Sequence, residues 1–144
     1  MKTSTIPATA PTWYLVDATG QTLGDLSSKV AHVLRGKHKH TFSPHQLCGD
    51  VVIVINSDKL DVPASKEYRK LYYKHTGHPG SMRMRTITQM MEKESDRVIE
   101  MAVYGMLPRN RLRHAMMHRL HISKDADHKY AAQKPQSLDL STLL

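Results

Sequence analysis

Cys48 is the only cysteine in the 144 residues. No disulfide can close within the chain and no zinc site can be assembled from several thiolates, so a reducing, cytoplasmic setting is expected. Aromatic residues are also scarce, at 6% of the chain with one Trp and one Phe. Long apolar runs are missing too. The longest strongly apolar one, VVIVI at 51–55, falls far short of the about 20 residues that cross a bilayer, and the opening MKTSTIPATAPT lacks the apolar stretch of a signal peptide. Neither a membrane partner nor export is expected. Acids are in deficit as well, with 13 Asp and Glu against 21 Lys and Arg, a net charge of +8. Such a balance suits a polyanion, nucleic acid first, and carries no information about the fold.

The deficit is uneven. No acid occurs between Glu67 and Glu92, or between Glu100 and Asp125. The first window holds Arg69, Lys70, Lys74, Arg83 and Arg85; the second holds Arg109, Arg111, Arg113, Arg119 and Lys124. One such run is ordinarily a solvated face. Two of them, with the further basic stretch RGKHKH at 35–40, point to an anion-binding surface. His75, His78, His114 and Tyr72 beside the cations suit stacking on unpaired bases or contacts to phosphates and 2′-hydroxyls, and the spread over several loops favours a folded RNA over a linear DNA site.

WYLVD at 13–17 has the content of a short strand, and ATGQ supplies a turn. Leu23, Leu26, Val30, Val33 and Leu34 then recur at helical spacing, with Thr22 placed to cap the start and Gly36 to close the end. After a long basic connection, VVIVI is apolar on both faces of a strand, as in a parallel sheet covered on both sides. Strand, helix and strand together predict a right-handed βαβ unit. KLDV at 59–62 reads as a short strand and RKLYYK at 69–74 as a strand or hairpin arm, broken by HTGHPGS. Thr86 with Gln89, and then Ser95 with Asp96, are set to open two helices. The second carries a core stripe of Val98, Ile99, Ala102, Val103 and Met106. Gly105 and Pro108 should interrupt it, with Asn110 capping a last helix whose face is Leu112, Ala115, Met116 and Leu120. Arg119 sits close to that apolar face, where it must snorkel out or mark the helix end. From Lys124 an extended tail is expected.

Enzyme signatures are weak. His114 and His118 have half of a metal-binding spacing, but Ala115 stands where a zincin carries its Glu, and the neighbouring arginines disfavour a cation. DATGQTLG at 17–24 has neither GxGxxG nor a GKS/GKT ending, and Asp25 would repel an anion there. Cys48 is best read as packing and no GxSxG elbow is present. A helix-turn-helix reading of 105–120 conflicts with the βαβ beginning.

WYLVDATGQTLG, LRGKHK, the PH and GD of SPHQLCGD, VVIVIN, YYKHTGHPG, AVYGMLPRN and AAQKP follow one another over residues 13–135. In this order and spacing they resemble the bacterial large-subunit ribosomal protein L13 family. The resemblance implies one three-layer α/β domain over 1–144, with an arm at 1–12, a core at 13–123 and an extended tail at 124–144. It also implies a central, mainly parallel four-stranded sheet, flanking helices and basic extensions. In function it implies a structural constituent of the large ribosomal subunit that binds 23S rRNA among neighbouring large-subunit proteins and acts early in assembly. No catalysis, cofactor or small-molecule substrate is expected, and the location is the cytoplasmic ribosome.

By the same resemblance, rRNA contacts fall on Lys37 and Lys39, on Tyr73, His75, Gly77 and Gly80, and on Arg109. His40, Arg69, Lys70, Lys74, His78, Arg83, Arg85, Arg111, Arg113, His114 and Lys129 complete the candidate set. The chain departs from the family pattern at Asp25, at Arg113 and at HKY 128–130. A free RNA-binding translational regulator using the same surface is the alternative, and a nucleotide-dependent RNA-modifying enzyme a third.

Overall fold

The computed structural model describes residues 6, 7 and 9–138. Parts of the expected N-terminal arm, and the tail beyond 138, lie outside them. β1 (Trp13–Asp17), α1 (Leu23–Arg35) and β2 (Val51–Ile55) follow the pattern read from the sequence. Thr22 Oγ1 accepts from Asp25 N at 3.5 Å, and Gly36, at φ 81° in the left-handed region, ends α1 by donating to the His32 and Val33 carbonyls. β1 and β2 pair in parallel, Trp13 with Val51 through Asp17 with Ile55. Among the described residues the sheet has four strands in the order β5-β2-β1-β6, all parallel, with β5 at Leu120–Ile122 and β6 at Gln136–Ser137.

The register sorts the strands into two faces. Tyr14, Val16, Val52, Val54, Leu120 and Ile122 point to one side, where they meet Leu26, Val30 and Leu34 of α1 and Val98, Ile99 and Val103 of α3 (Ile87–Met106). Fully burying side chains of this size is worth about 1.5–3 kcal/mol each, so this two-helix layer dominates the stability. The other face carries Trp13, Leu15, Val51, Ile53 and His121. Against it lies the C-terminal segment, with Tyr130 stacked on His121 at 4.2 Å and tilted against Trp13 at 5.5 Å.

Between β2 and α3 lie α2 (Ala64–Glu67) and an antiparallel hairpin, β3 (Leu71–His75) with β4 (Met82–Thr86). KLDV is not a strand: Ser57–Lys59 form a 3-10 turn, and Asp61 makes a single bridge to Thr22. The Thr86–Gln89 capping box forms in both directions. The two expected helices are one run with a break at Glu94, whose φ −140° and ψ 59° are not helical. Ser95 turns its hydroxyl away from the helix to donate to Asp58 Oδ1, while Ser57 Oγ donates to Ser95 Oγ at 2.9 Å. The break is thereby pinned to the turn after β2. Gly105 stays helical and α3 ends at Met106, capped by Leu107 before Pro108; Met106 is 47% exposed, outside the core stripe. The last helix, α4 (Arg113–Met117), is a short piece with no side-chain cap from Asn110, and Leu120 belongs to β5.

Candidate nucleic-acid interface

The expected contacts gather in two patches and one outlier. The first patch is the β3-β4 hairpin. Because side chains alternate, Tyr73 and His75 share one face with Met82 and Met84, while Tyr72, Lys74, Arg83 and Arg85 share the other, turned toward α3. Tyr73, Met82 and Met84 are all exposed, so the first face offers flat apolar surface for stacking. At the tip, Gly77 (φ 92°) and Gly80 (φ 74°) occupy the left-handed region, which explains glycine at both places. Gly77 N donates to His75 Nδ1 at 3.0 Å, leaving Nε2 of a neutral ring as the outward donor. Thr76 Oγ1 donates to Ser81 Oγ and Ser81 Oγ to the His78 carbonyl, each at 2.7 Å, so the tip holds its shape by itself.

On the inner face a cavity of about 290 Å³ lies between hairpin and α3, lined by Tyr72, Lys74, Arg83, Arg85 and Arg97 among others. Glu94 pairs with Arg97 at 3.1 Å and Arg85 at 3.6 Å, and the Arg97 hydrogen bond leads in holding its carboxyl below the usual glutamate range. Lys74 and Arg83 form no ion pair among the described residues. Lys70 lies 5.5 Å from the Tyr72 ring, and burial pushes its pKa down. The Tyr72 hydroxyl is buried without a partner, its pKa raised by that burial. Arg69 and His78 are exposed beside the hairpin. Arg97 escaped the sequence reading because Glu94 and Asp96 flank it; only the fold sets it beside Arg83 and Arg85.

The second patch is where α1 and α3 both end. Arg35, Lys37 and Met106 line one small hollow there, so the 35–40 stretch meets the turn leading to α4. Helix C-termini favour cations. Lys37, His40, Arg109 and Arg111 are exposed. Lys39, by contrast, donates to Asp50 Oδ1 at 2.5 Å, and Asp50 also meets His38 Nε2 at 2.8 Å and the Thr12 N–H at 2.8 Å. Asp50 is fully buried. Arg113 is also engaged internally: Nε donates to Pro108 O at 3.0 Å, Nη2 to Leu107 O at 2.8 Å, and the guanidinium lies 4.5 Å from the Tyr104 ring. His114 is exposed, 6.2 Å from the same ring. Arg119 does not snorkel but does mark the helix end, following the His118 cap of α4 with its N–H donating to Met116 O at 3.0 Å. It donates to the Gly49 carbonyl, tying the loop's close to β5, and burial lowers its pKa.

α3 joins the two patches: the hairpin leans along it from Met90 to Met101, and the second patch gathers at its C-terminal end around Met106. Lys129 belongs to neither, lying with Asp96 and Glu100 near β5. Among the described residues no group of three or more His, Cys, Asp or Glu is placed to hold a metal ion. The βα turn is filled by its own carboxylate: Asp17 Oδ1 accepts from Thr19 N at 3.0 Å, Thr19 Oγ1 at 2.7 Å and Asn56 Nδ2 at 3.0 Å. The Thr19 bonds hold Asp17 below the usual range, and that charge disfavours a phosphate there. Asp25 is paired with Lys29 at 2.9 Å.

Residues 11–129 match the family model described as ribosomal protein L13. The chain is 49% identical over 128 residues to the large ribosomal subunit protein uL13 of Symbiobacterium thermophilum, covering 89% of this chain and 90% of that one. It is likewise 49% identical to the protein of that name from Halorhodospira halophila, over 89% and 90% of the two chains. With the one from Beutenbergia cavernae it shares 44% over 135 residues, 94% of this chain and 92% of the other. A match of this length, on a parallel α/β fold bearing the expected blocks, places the chain in the ribosomal protein L13 family.

Proposed function

We propose that this protein is a structural constituent of the large ribosomal subunit that binds and organises 23S rRNA, early in subunit assembly and without catalysis or a cofactor. The observation that carries the reading is the set of exposed cations with no acidic partner among the described residues: Lys74 and Arg83 on the hairpin, Lys37, Arg109 and Arg111 at the helix ends. Such guanidinium and ammonium groups bind phosphates, and the hairpin's exposed Tyr73 and His75 stack on or donate to unpaired nucleotides. Lys39 and Arg113 act indirectly by shaping the loops that carry Lys37, Arg109 and Arg111. Exposed on the hairpin and again where α1 and α3 end, these cations give the chain two places at which to hold rRNA. Residues 1–144 work as one unit in the cytoplasmic ribosome, beside other large-subunit proteins. No specific observation favours a free regulator.

The test is binding of the purified chain to large-subunit rRNA fragments across salt. Neutralising roughly 6–10 phosphates predicts a loss of about 10³–10⁵ in affinity between about 50 and 200 mM salt. Salt-insensitive binding, or a chain that sediments apart from large subunits, contradicts the proposal.

A further inference from the structure

β5 forms one margin of the sheet, with no strand on its outer side among the described residues. Val52 N donates to Arg119 O at 2.9 Å and Ser123 N to Val54 O at 2.8 Å. In a parallel ladder of that register, residues 119, 121 and 123 turn their backbone groups toward β2, so Leu120 and Ile122 turn theirs outward. A cleft of about 400 Å³ opens at this margin. Asp96 and Glu100 of α3 stand on one side of it, Asp127 and Tyr130 of the C-terminal segment on the other.

The three carboxylates are exposed and form no ion pair among the described residues, and Lys129 is the only lysine or arginine lining the cleft. On a chain of net charge +8, the sign of the surface reverses here. A phosphate backbone is repelled from such a cleft, and outward N–H and C=O groups spaced along a strand match an extended polypeptide. We propose that the β5 margin receives an extended Lys/Arg-rich segment of another protein, added as a further strand of the sheet. Its alternate side chains then fall on the two walls. Those on one side reach Asp96 and Glu100; those on the other reach Asp127 and the Tyr130 ring. The opposite margin, β6, is the short polar pair Gln136–Ser137 with both residues exposed and neither charged.

This inference concerns the β5 margin, and rests on the proposed function only for the particle in which the partner is found. The test places the photoreactive residue p-benzoylphenylalanine at Ala126, exposed next to Asp127, in cells whose large subunits are then isolated and irradiated. The expected product is a crosslink to a Lys/Arg-rich segment of a different protein, mapped by mass spectrometry. Its yield should fall about tenfold when Asp96→Asn and Glu100→Gln are combined, since each removes a carboxylate that would pair with a cation of the incoming segment. A crosslink to rRNA, to a second copy of this chain, or to nothing while the chain remains in the subunit overturns the inference. So does a yield indifferent to the two substitutions. A chain missing from the subunit fraction instead defeats the ribosomal reading.

Discussion

Arg109, Arg111 and Arg113 alternate within one acid-free window, yet only the first two are exposed; Arg113 is half-buried and bonded to the Leu107 and Pro108 carbonyls. Replacing Arg109 and Arg111 by Ala should weaken rRNA binding and reduce the salt slope by about 1 per residue, with stability altered by less than about 0.5 kcal/mol. Arg113→Ala should instead cost about 1–2 kcal/mol, since two charge-assisted bonds are lost. Filter binding across salt and urea titration separate the two classes; a stability loss for the first pair, or none for Arg113, reverses the assignment. The sequence marked all three as cations but not their partners, because a side chain that folds back five or six residues leaves no periodic trace.

His121, clustered with Trp13 and Tyr130 and stacked on both, gives a pH prediction. Burial holds its pKa below that of a free imidazole. The stability tied to it is fully present above the unfolded-state value of about 6.5 and is lost as pH falls through the lower folded-state value, because the unfolded chain takes the proton first. The urea midpoint should therefore drop between about pH 7.5 and about pH 5.5. His121→Phe, which keeps the stack, should flatten part of that drop. An unchanged pH dependence in the variant removes His121 as its source.

At the scale of elements, local signals fared well where local forces decide. The α1 face with its Thr22 and Gly36 ends, the doubly buried β2, the first arm of the hairpin and the Thr86–Gln89 box all follow spacing rules that operate within a few residues, whereas the second arm, Met82–Thr86, escaped the sequence reading. The signals failed where a distant partner decides. Leu120 continues a helical spacing from Leu112 and Met116, but β2 needs a neighbour on its free side and draws residues 120–122 into a strand. Gln136–Ser137 carry no apolar signal, since they join β1 through backbone alone. The 36–50 connection is legible as basic but not as ordered. Its order comes from buried Asp50, which collects Lys39, His38 and the Thr12 N–H, and from Gly49, where an added Cβ would fall on the Leu34 carbonyl. Asp50→Ala should destabilise the chain by about 2–3 kcal/mol, below the usual cost of breaking a buried pair because Lys39 and His38 keep some access to water. It should also weaken rRNA binding by a few-fold through loss of Lys37 and His40 placement. Stability measured by denaturation and affinity measured at fixed salt should fall together; normal stability would remove Asp50 from the role of organiser.

For the whole molecule, the parallel sheet and its two-helix layer hold two cationic patches in place, the hairpin along α3 and the cluster where α1 and α3 end, and leave an acidic margin at β5. Net charge announced a polyanion, but only the fold divides the basic residues into patches and sets Lys129 apart among carboxylates. The measurement that bears most directly on this arrangement is a residue-level map of protein–RNA crosslinks in isolated large subunits. The account predicts contacts in the hairpin, 71–86, and at Lys37, His40, Arg109 and Arg111, with none at 120–122. Crosslinks concentrated on the β5 margin, or missing from both basic patches of a chain present in the subunit, would contradict it.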